Sequence, residues 1–177
     1  MSLIKDLEFS SQLKELLPAT YELLVSSNLV IHESVNSIIL HGSRGIKGAA
    51  RPVSDVDLSL VIDTATVSAQ PDITAFLHEV SEVTISQWSS QVELDLALVF
   101  DTQNCGLKCF HNRVWDEKAC LSGGVGCFGL YKNQKGFNGI VTNAGVEVKL
   151  MYPCLEIWRQ SKIVLFDNYN SRKVHYK

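Results

Sequence analysis

Apolar and polar residues alternate in two stretches of the first hundred positions, run together in a third, and recur at helical spacing in two others. VNSIILH, residues 35–41, is apolar and rich in β-branched side chains, which predicts a strand. In DVDLSLVID, Val56, Leu58, Leu60 and Ile62 share one face, and Asp55, Asp57 and Ser59 share the other. That period of two predicts a second strand. QVELDLALVFD repeats it, with Val92, Leu94, Leu96, Leu98 and Phe100 on one face and Gln91, Glu93 and Asp95 on the other.

Residues 10–27 carry an apolar stripe of Leu13, Leu16, Leu17, Leu24 and Val25 behind a serine cap at Ser10 or Ser11, and Pro18 kinks this helix or starts a second one. Gln70-Pro71-Asp72 opens another helix, with Ile73, Phe76, Leu77, Val80 and Val83 at helical spacing. Between the first two strands, Gly42, Gly45, Gly48 and Pro52 mark a turn, with room for a short helix opening near Ser43. Beyond Asp101 the pattern weakens. Residues 105–136 are rich in Gly and Cys. FNGIVTNAGVEVKLMY predicts a hairpin turning at Asn143-Ala144-Gly145, and Pro153 predicts a final helix with Leu155, Trp158 and Leu165 inward.

Composition changes this picture little. The 177 residues are 46% apolar and 20% charged, ordinary values for a chain able to bury a core. A net charge of −3 argues against bulk nucleic-acid binding, and any polyanion would have to be bound locally. No apolar run reaches the roughly 18 residues of a membrane span, and Lys5, Asp6 and Glu8 interrupt any signal-like start, so no membrane association and a cytoplasmic location are expected. Five cysteines in that setting suggest free thiols. Cys105, Cys109, His111, Cys120 and Cys127 have a spacing irregular for structural zinc.

The chemistry gathers at residues 41–58, HGSRGIKGAARPVSDVDL. Asp55 and Asp57 point the same way along one strand, and Asp95 has the same orientation on another. Were the two strands neighbours, three carboxylates would converge and repel until a cation joined them. Oxygen-only ligation suits Mg²⁺, which is usually held by one or two carboxylates together with substrate phosphates. The turn supplies the complement. Gly42 permits close approach of a phosphate, the Ser43 hydroxyl and the amides after it can donate to phosphate oxygens, and Arg44, Lys47 and Arg51 add positive charge. Each part has a plainer alternative. Asp-x-Asp alone is more often a solvent-facing strand edge, Ser43 can simply cap a helix, Asp63 and Asp101 fit caps or turns, and Trp88, Trp115 and Trp158 fit the core. Lys149 and Glu147 can line an acceptor cleft, but exposure on an amphipathic strand explains them more simply.

Gly-Ser, eleven residues (44–54), Asp-x-Asp, then a hydrophobic-Asp-hydrophobic strand resembles the pattern of the DNA polymerase β-like nucleotidyltransferase superfamily, most closely its small bacterial minimal and aminoglycoside-type members. The resemblance spans about residues 35–101. It implies an α/β (α+β) fold: a small mixed sheet with helices on one face, a nucleotidyltransferase core over 1–101, and a β-containing extension over 102–177 packed on it at the acceptor side. It implies that Gly42 and Ser43, with Arg44 and Lys47 beside them, hold a nucleoside triphosphate such as ATP. Asp55, Asp57 and Asp95 are implied as catalytic residues and ligands of a two-metal Mg²⁺ site, with Asp95 helping to activate the acceptor. The implied activity is transfer of a nucleoside monophosphate to a hydroxyl of a small molecule or protein. The alternative is a catalytically silent nucleotide-binding or antitoxin-like module. In two respects the chain departs from the family. Arg44-Gly45 falls earlier than the usual arginine-glycine pair, and the segment after Asp101 does not read as the helical bundle that often follows this core.

Overall fold

A computed structural model describes residues 2–101, 129–141 and 151–161. In chain order its elements are β1 (Leu3–Ile4), α1 (Ser11–Leu16), α2 (Pro18–Ser26), β2 (Ile31–His32), β3 (Val35–His41), β4 (Val56–Ile62), α3 (Thr64–Ser68), α4 (Ile73–Gln87), β5 (Leu94–Phe100), β6 (Gly129–Lys132), β7 (Gly139–Val141) and β8 (Leu155–Arg159). The class is mixed α/β. Six strands form one sheet in the order β7-β6-β5-β4-β3-β8, and β1 and β2 form a small second sheet.

The period-two stretches become strands because each has a face to bury. Leu40, Leu58, Leu60, Leu96 and Leu98 pack into one cluster with Leu13, Leu24, Val67, Leu77 and Val80 from the four helices. All four helices therefore cover the same face of the sheet. Each fully buried leucine there contributes about 2 kcal/mol relative to exposure. The opposite face has a smaller apolar cluster of Ile39, Ala97, Val99, Leu130, Met151 and Cys154.

Local signals set the ends of the helices. Ser10 Oγ accepts from the Leu13 amide, and Pro18 takes the first position of α2, where its missing N–H costs nothing. Leu13 and Leu24 are buried, but Leu16 is 56% and Val25 55% exposed, so the expected stripe is narrower than its spacing suggested. The Asp72 carboxylate accepts from the Ala75 amide at 3.0 Å and starts α4. Asp63 caps α3 in the same way, through the Ala65 amide.

One expectation is corrected. The segment after Pro153 is a strand, not a helix. Leu155 and Ile157 enter the core while β8 pairs antiparallel with β3, and the Ser10 amide donates to the Ile157 carbonyl at 2.8 Å. Leu155 and Trp158 are spaced for a helix and Leu155 and Ile157 for a strand, and the open edge of β3 decides between them. The glycine-rich segment after β3 is a turn, as its sequence indicates, built of two successive tight turns, Gly45 N to Gly42 O and Gly48 N to Gly45 O, both 3.1 Å, and it holds no helix. The proposed hairpin turn at Asn143-Ala144-Gly145, Lys149, Glu147, Trp115, Leu165 and the cysteine group at 105–127 lie outside the described residues. Trp88 and Trp158 are half-buried and pack against the main core.

Candidate active site

Strand register builds the site. β4 and β5 are parallel neighbours with Asp57 directly opposite Asp95, and β3 runs antiparallel to β4 with His41 opposite Asp57. Period-two alternation turns both carboxylates away from the helices, toward the second face. Asp55 precedes β4, whose start is tied down by the Val56 amide donating to the Glu93 carbonyl at 2.9 Å. The three acids of the sequence motif are therefore brought to one end of two adjacent strands.

Two lysines that sequence reasoning did not single out join them. Lys132 Nζ on β6 lies 2.6 Å from Asp95 Oδ1. Lys135, in the turn after β6, contacts Asp55 Oδ2 through its Nζ, which also lies 3.5 Å from Asp95 Oδ2. The only local trace of this in the sequence is a short apolar run, GLYK, followed by the turn-like NQKG.

These charges set the titration of the site. Burial, the charge of Asp95, a hydrogen bond to it and the charge of Asp55 push Asp57 up to about 6. Burial also opposes ionisation of Asp95, but the hydrogen bond and charge of Lys132, followed by the charge of Lys135, outweigh it and hold that carboxyl below its usual range. Burial pushes the His41 imidazole down to about 4, so the ring is neutral near pH 7, with Nε2 sharing a 3.0 Å hydrogen bond with Ser59 Oγ.

The turn meets the acids at Gly42. Its φ is +73°, and a Cβ there would overlap the Asp57 carboxylate, so only glycine permits this approach. Ser43 is half-buried and Lys47 exposed. Arg44 faces elsewhere: Nε donates to the Ser54 carbonyl at 2.6 Å, and the guanidinium also reaches the Arg51 and Pro52 carbonyls at 3.2 and 3.1 Å. Its own carbonyl accepts from Thr20 Oγ1 on α2 at 2.7 Å. Arg44 thus organises the loop that delivers Asp55. Arg44→Ala is expected to lower stability by about 1–2 kcal/mol and to speed hydrogen exchange at the Arg51 amide, which donates to Ser54 Oγ at 2.8 Å. Unchanged exchange there would remove this role.

Next to the acids lies a cavity of about 180 Å³, polar at Asp57, Asp95 and Lys132 and apolar at Ala97, Leu130, Phe137 and Met151. Among the described residues, no three His, Cys, Asp or Glu side chains are arranged to hold a metal ion. The lysine ammoniums take up the oxygens that would do so. That the single cation of Lys135 reaches both Asp55 and Asp95 nevertheless shows that one positive centre can touch both, and the donors are all oxygen, as Mg²⁺ requires. Comparison with protein-family models, curated proteins and solved structures finds no match. No helix among the described residues is long and apolar enough to cross a membrane.

Proposed function

We propose that the protein is a Mg²⁺-dependent nucleotidyltransferase that moves a nucleoside monophosphate from a nucleoside triphosphate to a hydroxyl of a small molecule or protein. The observation that carries this reading is the register of β4 and β5, which puts Asp57 opposite Asp95 with Asp55 beside them and Gly42 packed against Asp57. Asp55, Asp57 and Asp95 would hold Mg²⁺, which supplies charge neutralisation for the phosphates when bound. Gly42 and Ser43 present the turn to the triphosphate, and Lys47 adds charge at its rim. Asp95, kept ionised by Lys132, orients the acceptor hydroxyl and helps take its proton. The acceptor oxygen then bonds to the α-phosphorus while the bond to the leaving pyrophosphate breaks. A cytoplasmic setting without bulk nucleic acid belongs to this proposal, and the net charge of −3 supports the second part of it.

A second reading is a silent nucleotide-binding or antitoxin-like module of the same fold. It is favoured by the two lysines, which already pair with Asp55 and Asp95. Isothermal titration with a non-hydrolysable ATP analogue, with and without Mg²⁺, tests both readings. The expected result is binding that needs Mg²⁺ and falls at least about 100-fold in Asp55→Asn. Binding of analogue without pyrophosphate release from ATP across an acceptor screen would favour the silent module. Silence with every nucleoside triphosphate would sink the transferase and the nucleotide-binding module, and leave the antitoxin-like reading, to be tested against protein partners.

A further inference from the structure

We infer that Lys135 is a substrate-binding residue with two positions: it neutralises Asp55 and Asp95 until a divalent cation takes their oxygens, and then turns its ammonium to the triphosphate. This rests on the nucleotidyltransferase reading and adds to it a residue outside the sequence motif.

The argument begins one residue earlier. Gln134 closes the turn onto β5 with both ends of its amide: Oε1 accepts from the Leu96 amide at 2.8 Å, and Nε2 donates to the Leu94 carbonyl at 3.0 Å. These are the backbone groups on either side of Asp95, so the side chain substitutes for a strand at this point of β5. The turn is thereby fixed relative to the acid, and the next residue is delivered to it. Lys135 has a φ of +52°, a left-handed conformation that costs any side-chain-bearing residue and that glycine or asparagine would adopt more easily. A lysine held at that cost, beside two carboxylates, is placed for its charge.

The two lysines are not equivalent. Lys132 is enclosed, its side chain 16% exposed, with its ammonium on Asp95 and 5.4 Å from the centre of the Phe137 ring. Lys135 is 45% exposed and stands at the rim, with four rotatable bonds to swing through. Lys132 holds Asp95 Oδ1, so a divalent cation on Asp95 takes Oδ2, the oxygen that Lys135 now faces at 3.5 Å while also contacting Asp55. The divalent cation attracts carboxylates more strongly than an ammonium does, so Lys135 yields. The displaced ammonium then lies within a side chain's length of any phosphate drawn to that cation. Lys132, held on the far oxygen of Asp95, can stay in place throughout.

The test separates the two positions. Mn²⁺ affinity is measured without nucleotide, by paramagnetic resonance of the free ion, for the full chain, Lys135→Met and Lys135→Arg. A non-hydrolysable ATP analogue is then titrated at saturating Mn²⁺. Lys135→Met is expected to bind Mn²⁺ about five- to tenfold more tightly and the analogue about five- to tenfold more weakly, with Lys135→Arg near the parent in both. Opposite signs from one substitution are what a merely structural ion pair would not produce. Unchanged or weaker Mn²⁺ binding in Lys135→Met overturns the first position, and unchanged analogue binding overturns the second. Asp55-dependent binding that ignores residue 135 would overturn the inference alone. Absence of Mn²⁺ and analogue binding in all three proteins would overturn the inference together with the proposed function.

Discussion

Asp57→Asn is expected to fold, to gain about 1 kcal/mol of stability at pH 7, and to lose at least about 100-fold in Mg²⁺-dependent nucleotide binding. Asp57 is pushed from an ordinary 3.8 to about 6, by burial first and then by Asp95 and Asp55. The folded protein therefore holds a proton that the unfolded chain has already released. The stability this group contributes is fully present below about pH 4 and is lost as the pH rises through about 6. A shift of about two units corresponds to about 3 kcal/mol, which solvent screening at this partly exposed carboxylate reduces to about 1–2. Asparagine is neutral throughout and can still donate to Asp95, so the variant escapes the loss. Thermal melts at pH 4.5 and 7 check the sign: the parent should lose more stability than the variant across that interval. An equal loss in both would mean that Asp57 is not the group that titrates. Near neutral pH the parent carries a carboxylate that its own fold disfavours, which a bound divalent cation would relieve.

β4 and β5 were legible because polar groups at Asp55, Asp57, Ser59, Glu93 and Asp95 break up their second face, so a period of two survives in the sequence, whereas β3, with Ile39 buried on its second face, was legible from its continuous apolar, β-branched run. The same alternation put Asp55, Asp57 and Asp95 on one side before any pairing was known. Pro18 and Asp72 marked helix starts because their backbone roles are local. Segment 155–159 failed for the converse reason. Leu155 with Trp158 fits a helix and Leu155 with Ile157 a strand, and the free edge of β3, more than a hundred residues earlier, decides the outcome. Lys132 and Lys135 were hidden in the same way. They reach Asp95 because β6 pairs with the outer edge of β5, and nothing local in GLYKNQKG records which strand it will join. Arg44 shows the limit of reading charge beside a Gly-Ser turn. A guanidinium placed there can serve the phosphate or the loop, and the carbonyls of Arg51, Pro52 and Ser54 engage it.

Gly42→Ala is expected to destabilise the protein by about 2–4 kcal/mol and to impair divalent-cation binding as strongly as loss of an aspartate. The left-handed φ accounts for about 1–2 kcal/mol of this. The remainder comes from Asp57, whose carboxylate stands where the new methyl group would go. That carboxylate cannot retreat freely, because β4 is paired on both sides, with His41 and Asp95 as its cross-strand neighbours. Either the turn swings out, taking Ser43 away from the acids, or Asp57 leaves its rotamer and the cluster opens. Gly48→Ala is the control. Gly48 has the same φ of +73°, but its Cβ would meet nothing within 4 Å. It should cost only the backbone share, about 1 kcal/mol, and leave Mn²⁺ binding intact. Urea unfolding and Mn²⁺ titration of both variants separate strain from displacement. If Gly42→Ala proves no worse than Gly48→Ala on either measure, Asp57 adapts easily, and the turn and the acids are neighbours without being coupled. If the two diverge as expected, the glycine of the Gly-Ser motif is needed first for the carboxylate behind it, and only through that carboxylate for the phosphate in front.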